Sequence, residues 1–278
     1  MNSDIYKEAI LKSAEIRLSL GYKMQEPLNI YDVCDKLSVD VRFLDVNMEG
    51  LYVNNKNQPS ILISSLRPAP RKVFTCAHEL GHHIFNDGFK LDILEEKDSI
   101  FPNIQERRAD AFAAHLLMPI LGITAEFAKR NLNVKKANER QFYLISSLFG
   151  TGYSTLIKHC YYNKLINEIH YRELEKFTPG KILEAHYGIS KKLPYKIFDY
   201  YLNLNINLDL ELGDLIIVPE NFDVDNKYFK YLKHSHDDVV YQAIRVGITN
   251  ILTDDGANFL RIQPKNYNGC SKYRHLEN

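Results

Sequence analysis

Two histidines four residues apart have the clearest potential for chemistry in this chain. His78 and His82 lie in His78-Glu79-Leu80-Gly81-His82, where the surrounding apolar residues recur at helical spacing. Positions i and i+4 share a helix face, so both imidazoles can bind one Zn²⁺ ion. Glu79 lies roughly 100° further round the helix, where it can take a proton from a metal-bound water. Gly81 has no side chain to crowd the pocket between the histidines. The motif also arises by chance, so a metal site requires a third ligand.

The helix predicted at residues 104–118 offers two acids for such a site. Glu106 and Asp110 lie one turn apart on a face that is otherwise small and apolar, where unpaired acids are costly to bury. We expect Glu106 to be the third ligand and Asp110 to accept a hydrogen bond from a ligand histidine, which fixes the tautomer of that ring. The alternative is an exposed acidic stripe whose acids pair with Arg107, Arg108 or lysines. His115 lies on the opposite face and is not expected to bind the metal.

The segments before the histidine helix predict a small sheet with helices beside it. Two helical patterns are followed by a strand with alternating apolar residues, then by two β-type runs joined by a turn-rich connection. These two runs predict a hairpin, so that three strands form one sheet. The helices are predicted at residues 3–20 and 29–37, and the strands at 39–44, 50–53 and 60–64.

Turn signals delimit the histidine helix. Arg67-Pro68-Ala69-Pro70 predicts its start, because proline suits a first helical turn. Asp87-Gly88 predicts its end. The acidic connection that follows, 87–98, predicts a solvated loop; the alternative is a loop that gates substrate or favours basic segments.

The composition is that of an ordinary soluble globular protein. The 278 residues are 45% hydrophobic and 25% charged, with zero formal net charge, so overall charge suggests neither a nucleic acid nor a membrane partner. Four scattered cysteines are typical of reduced thiols in the cytosol. The N-terminus lacks a signal-peptide pattern, and the apolar run 111–124 is too short to span a bilayer. We therefore expect a soluble, cytoplasmic protein with no membrane partner.

Residues 129–178 predict a helix-turn-helix-like segment. Helical patterns at 138–149 and 153–163 flank Gly150-Thr151-Gly152, and 129–172 contains eight Lys/Arg against two acids. The second helix offers few side chains for reading bases: Lys158, Ser154, Thr155 and His159. We therefore favour packing or substrate docking, and keep DNA contact as the alternative.

The remainder of the chain predicts a separate α+β accessory or sensor domain. Thr178-Pro179-Gly180 is a strong boundary signal, strands are predicted at 215–218, 239–246 and 259–262, and Asp254-Asp255-Gly256 predicts a turn. His234-Ser235-His236 is better explained as a solvated loop than as a metal-binding tract. The predicted domains are therefore 1–128, 129–178 and 179–278.

The motifs at the two central helices resemble those of the ImmA/IrrE family of zinc metallopeptidases. The resemblance rests on His78-Glu79-Leu80-Gly81-His82 and on Glu106-Arg107-x-Ala109-Asp110-x-Phe112-Ala113-Ala114 running into Leu116-Leu117-Met118-Pro119. Weaker support comes from residues 27–52, and the resemblance covers roughly residues 5–170. It implies a thermolysin-like minimal metallopeptidase core with a Glu-x-x-x-Asp pattern, which Glu106 and Asp110 satisfy. Arg108 stands where the family often has an acid.

The resemblance also implies an activity. Members are zinc-dependent endopeptidases, and many cleave a helix-turn-helix repressor and so relieve repression of mobile-element or damage-response genes. One catalytic Zn²⁺ on His78, His82 and Glu106 would then act with Glu79 as general base, and Tyr52 is a candidate donor to the oxyanion. In the family the helix-turn-helix-like segment packs on the peptidase. The alternative is a DNA- or partner-binding regulator with a non-catalytic zinc site.

Overall fold

Helices and strands are segregated along much of the chain in the computed structural model, which describes residues 2–55, 58–87, 104–189, 195–199, 207–253 and 256–276. The α-helices are α1 (Asn2–Ser19), α2 (Ile30–Lys36), α3 (Ala69–Phe85), α4 (Ile104–Leu117), α5 (Ile120–Lys129), α6 (Glu139–Leu148), α7 (Tyr153–Tyr162), α8 (Glu168–Glu175) and α9 (Pro179–Tyr187). The strands are β1 (Asp40–Leu44), β2 (Gly50–Val53), β3 (Ser60–Ser64), β4 (Tyr195–Ile197), β5 (Leu208–Glu211), β6 (Leu215–Pro219), β7 (Asp223–Val224), β8 (Phe229–Ser235), β9 (Asp238–Ala243), β10 (Gly247–Thr253), β11 (Gly256–Gln263) and β12 (Gly269–Cys270). A 3-10 helix, η1 (Ser271–Tyr273), follows β12. The predicted α+β class is confirmed.

The chain divides into two compact units. The first comprises Met1–Pro119 and Asn266–Arg274, and the second comprises Ile120–Lys265 and His275–Asn278. The three-domain division with limits at 128/129 and 178/179 stays a prediction.

The sheet of the first unit has four strands in the order β12-β1-β3-β2. β1 runs parallel to β3, with Val41 opposite Ile61, and β2 and β3 form the predicted antiparallel hairpin. The fourth strand, β12, pairs antiparallel with β1 and places Cys270 opposite Arg42. Sequence patterning did not predict this strand, because two residues are too few to show a period.

Helices cover the apolar side chains of this sheet. Phe43, Ile61 and Ile63 are buried, and α3 packs against β2 and β3. On its other side α3 packs against α4, which in turn packs against α1. The two helices with the predicted ligands therefore lie in direct contact.

A buried arginine ties the end of α1 to the end of α4. Arg17 donates hydrogen bonds to the carbonyl oxygens of Leu116, at 2.6 Å, and Lys23, at 2.8 Å, and also to that of Glu26. Burial lowers the pKa of Arg17 to about 10, against a smaller opposing effect of Glu26, so the group stays charged at neutral pH. A buried guanidinium requires such partners, because an unpaired charge is costly to remove from water.

The second unit begins with the helix-turn-helix-like segment. The side chain of Asn138 caps α6, and Gly150 between α6 and α7 has a positive φ of 65°, which glycine adopts without strain. All residues from 142 to 148 on α6 are buried. On α7, His159 is buried too, whereas Lys158 is exposed. The side chains available for reading bases are thus fewer than predicted, and DNA contact remains untested.

The strands of the second unit form two four-stranded sheets, β4-β6-β9-β8 and β5-β11-β10-β7. The predicted strands at 215–218, 239–246 and 259–262 correspond to β6, β9 and β11. Thr178-Pro179-Gly180 starts α9, with the Thr178 hydroxyl as its cap. His234 lies in β8, and His236 follows it with a positive φ of 56°. Asp254 and Asp255, predicted in a turn, lie outside the described residues.

One helical stretch of the described chain, Ile104–Lys129, is long and apolar enough to cross a membrane. It extends beyond the run 111–124 noted in the sequence. However, 67% of its most apolar segment is buried inside the protein, as in a core helix.

The buried imidazole of His115 makes stability depend on pH. Burial lowers the pKa of His115 to about 4, from 6.5. The unfolded chain therefore binds a proton that the folded chain does not, and stability falls as the pH drops from about 6.5 to about 4. The full effect is about 3 kcal/mol, at about 1.4 kcal/mol per pKa unit. We expect urea unfolding of His115→Phe between pH 7 and pH 4.5 to show a shallower loss of stability than wild type; equal losses would contradict this.

Candidate metal centre

The helix that carries the histidines has sharply defined ends. α3 has a proline in its first turn and ends at Asn86, whose left-handed backbone (φ 54°, ψ 44°) stops the helix. Between these ends, Cys76, Ala77 and Leu80 are buried. His78 and His82 face α4.

A glycine allows α3 and α4 to approach closely. A Cβ atom on Gly81 would lie 3.1 Å from Cα of Ala109 and 3.3 Å from Cδ1 of Phe112. Gly81 was expected to leave room between the histidines, but the space that it leaves is occupied by α4. Because the helix axes can come close here, a side chain of α4 reaches the histidine face of α3.

Three predicted ligands converge at this contact. Nε2 of His78 lies 3.1 Å from Nε2 of His82 and 3.1 Å from Oε2 of Glu106. Nε2 of His82 lies 3.4 Å from the same Glu106 oxygen. Among the described residues, these three form the one group of histidines, cysteines and acids close enough to hold a metal ion.

The spacing of these atoms fits zinc. Ligands at about 2.0–2.1 Å in a tetrahedral arrangement lie about 3.3 Å from one another. The three observed separations are close to that value. Two imidazoles and one carboxylate are also a common ligand set for a zinc site with an open fourth position.

Each histidine is held through its other nitrogen by a carboxylate. Nδ1 of His78 donates to Asp110 at 2.9 Å, the position predicted for that acid. Nδ1 of His82 donates to Asp87 at 3.1 Å. Asp87 was assigned to a solvated acidic loop, but its side chain is only 2% exposed. Of the connection 87–98, the structure describes only Asp87.

The alternative of an acidic stripe paired with arginines does not describe this helix. Glu106 faces the two histidines, and Asp110 pairs with His78 although 61% of its side chain is exposed. Arg108 pairs instead with Asp87 and with Glu8 of α1.

The carboxylate of Glu106 and the two histidines shift one another's pKa values, whereas the charge of His78 opposes that of His82. Burial lowers the pKa of His78, but its hydrogen bonds to Asp110 and Glu106 outweigh burial and raise the pKa to about 10. Burial also lowers the pKa of His82, but the hydrogen bond to Glu106 outweighs burial, so the pKa is raised. Hydrogen bonds from both histidines hold the pKa of Glu106 well below its usual range. Hydrogen bonds thus join the same nitrogen and oxygen atoms that would bind a cation.

Glu79 is buried on the side of α3 that faces the sheet. A Cβ atom on Gly50 of β2 would lie 3.0 Å from Oε1 of Glu79 and 2.5 Å from Cγ2 of Thr75. The absence of a side chain at Gly50 therefore gives Glu79 its space.

Tyr52 lies close by on the same strand. Its hydroxyl is 2.8 Å from Nδ1 of His83, in a hydrogen bond. Burial lowers the pKa of His83, which favours its neutral ring. The tautomer of that ring decides whether Nδ1 donates or accepts in the bond to Tyr52. His83 follows Glu79 by one helical turn.

Comparison with known proteins agrees with this geometry. Residues 34–161 match the peptidase family described as IrrE N-terminal-like domain (Peptidase_M78). The chain is also 28% identical over 112 residues to an uncharacterized immunity region protein 2 of Bacillus phage phi105, which covers 40% of this chain and 69% of that protein.

The helix contact at Gly81 provides a test of the centre. In Gly81→Val, the added side chain meets the backbone of α4, so we expect a loss of about 1–3 kcal/mol in stability. Glu106 moves with α4, so affinity for zinc should fall as well. Urea unfolding and competition with a chelator measure the two effects. Wild-type zinc affinity in this variant would contradict the dependence of the site on the helix contact.

Proposed function

We propose that this chain, of which residues 34–161 match the IrrE N-terminal-like peptidase family, is a zinc-dependent endopeptidase of the ImmA/IrrE family. The observation that carries the proposal is the convergence of His78, His82 and Glu106 at zinc-ligand spacing. A bound zinc ion would supply Lewis-acid polarisation of the scissile carbonyl and activation of a water molecule.

The residues of the chain have separate roles in the proposed reaction. His78, His82 and Glu106 bind the ion, and Asp110 fixes the ring of His78 through Nδ1. Glu79 acts as general base on the attacking water and returns the proton to the leaving amine. Its charge lies near both ligand histidines, since it contributes to raising the pKa of each.

Tyr52 is the proposed donor to the oxyanion. Its hydroxyl is held by His83, on the same side of α3 as Glu79. When Nδ1–H of His83 is the donor in this bond, the single phenolic proton of Tyr52 stays available for the oxyanion. A donor that is oriented beforehand stabilises developing charge without a reorganisation cost.

The proposed substrate is a helix-turn-helix repressor, and the proposed location of the peptidase is the cytoplasm. This assignment is supported by the family and by the similarity to a phage immunity region protein. Cleavage would relieve repression of the genes that the repressor controls. A regulator that binds DNA or a partner and keeps a non-catalytic zinc site is the competing function. The exposed lysines of the basic segment 129–172 would favour it, whereas Arg130 and Arg140 of that segment are paired with acids.

Replacement of the general base tests the activity. We expect Glu79→Gln to bind one zinc ion per chain but to cleave a repressor from a helix-turn-helix panel about 10²–10⁴-fold more slowly than wild type. Unchanged cleavage by Glu79→Gln would show that the base is wrongly assigned. If neither protein cleaves any repressor, and the wild type binds a DNA duplex at low salt, the regulator is the better description.

The glycine that makes room for Glu79 gives a second test. In Gly50→Ala the new Cβ meets Thr75 and Glu79 at the distances given above. We expect the displaced carboxylate to lower kcat roughly 10-fold or more, because small errors of placement are costly, with zinc content unchanged. The double variant Gly50→Ala/Thr75→Ser lacks the contacting Cγ2 atom and should recover part of kcat. Loss of zinc from Gly50→Ala, or wild-type kcat, would refute this role of Gly50.

A further inference from the structure

The two ligand histidines are supported by carboxylates in different environments. The side chain of Asp110 is 61% exposed, whereas that of Asp87 is 2% exposed. An exposed carboxylate is stabilised by water, but a buried one requires a charged or hydrogen-bonding partner from the protein. Asp87, which binds His82, therefore needs a further residue of the protein as its own partner.

The way in which α3 ends delivers Asp87 to His82. The N–H of Asp87 donates to the carbonyl oxygen of His82 at 3.0 Å, and that of Asn86 donates to the carbonyl oxygen of His83 at 3.1 Å. This is the Schellman pattern of a helix C-terminus, with Asn86 in the left-handed conformation. Because the chain folds back, both the backbone and the side chain of Asp87 bind His82.

Arg108 supplies the partner that the buried carboxylate needs. Its guanidinium pairs with the second oxygen of Asp87, while the first accepts from Nδ1 of His82. Arg108 is itself held, since its guanidinium lies 4.2 Å from the ring centroid of Phe85 and 3.5 Å from Glu8. The result is a continuous chain of contacts from Arg108 through Asp87 to His82.

We infer that Asp87 and Arg108 are positioning residues of the metal centre: Asp87 holds the proton of His82 on Nδ1 and so directs Nε2 to the ion, and Arg108 holds Asp87. The inference rests on the proposed zinc site. It assigns a role to Arg108, which stands where the family often has an acid and which touches none of the ligands.

The same helix offers a matched control. Arg107 is next to Arg108, carries the same charge and is exposed. Arg107→Met and Arg108→Met therefore change the net charge equally, but only the second removes the partner of Asp87. Arg108→Lys keeps a cation at the position and tests whether charge alone is sufficient.

The experiment measures metal binding by the full-length protein with Zn²⁺ and Co²⁺. Each variant is stripped of metal, checked for folding by circular dichroism, and titrated with Zn²⁺ against a chelator; Co²⁺ absorption reports the ligand geometry. We expect Asp87→Ala and Arg108→Met to bind Zn²⁺ about 10–100-fold more weakly than wild type and to change the Co²⁺ spectrum. Arg107→Met should match wild type, and Asp87→Asn and Arg108→Lys should recover part of the affinity, since each keeps a group that can fill the role.

The outcomes separate this inference from the proposed function. If wild type binds Zn²⁺ and cleaves a repressor while folded Asp87→Ala and Arg108→Met bind Zn²⁺ like wild type, the positioning role is wrong and the peptidase stands. If Arg107→Met weakens binding as much as Arg108→Met, net charge explains the effect and the role of Arg108 is wrong. If wild type binds no metal, the zinc site and this inference fail together.

Discussion

The metal centre depends on one close contact between two helices. Gly81 of α3 lies against Ala109 and Phe112 of α4, and any larger residue would separate the helices there. Two ligands are on one helix and the third is on the other, so the distance between the helices sets the distance between ligands. The three nitrogen and oxygen atoms lie at zinc spacing because Gly81 and Ala109 let the two helices approach closely. The sheet, α1 and Arg17 then fix the two helices from outside.

Periodicity predicted the parts of the fold that short-range order determines. The helix of the two histidines shows a helical period, and the two acids on α4 are one helical turn apart. The hairpin of β2 and β3 is marked by two β-type runs that a turn-rich connection joins. The ligand set of His78, His82 and Glu106 could be proposed from such spacing together with the need to pair buried acids. The conformations of the three side chains, and their distances, come only from packing.

Features that depend on distant residues or on how a helix ends were not predicted. Asp87 belongs to an acid-rich run, and only the left-handed turn at Asn86 shows that it folds back to His82. Arg17 lies on α1, and its partners are carbonyl oxygens up to 99 positions away. Strand β12 pairs with β1 across more than 200 residues. Sequence spacing contains no information about such pairs.

The return of the chain at β12 makes residues 120–265, which are all of the second unit except His275–Asn278, an inserted unit within the first. Residues 120–265 leave the first unit after α4 and come back to it before β12, whose partner β1 precedes them in the chain. A ribosome therefore completes the four-stranded sheet only after residues 120–265 have been synthesised. A chain that is cut short at any point within residues 120–268 therefore lacks β12, an edge strand of the sheet behind the metal centre, as well as the accessory sequence that is removed. The inserted unit is thus covalently joined to the first at both of its ends.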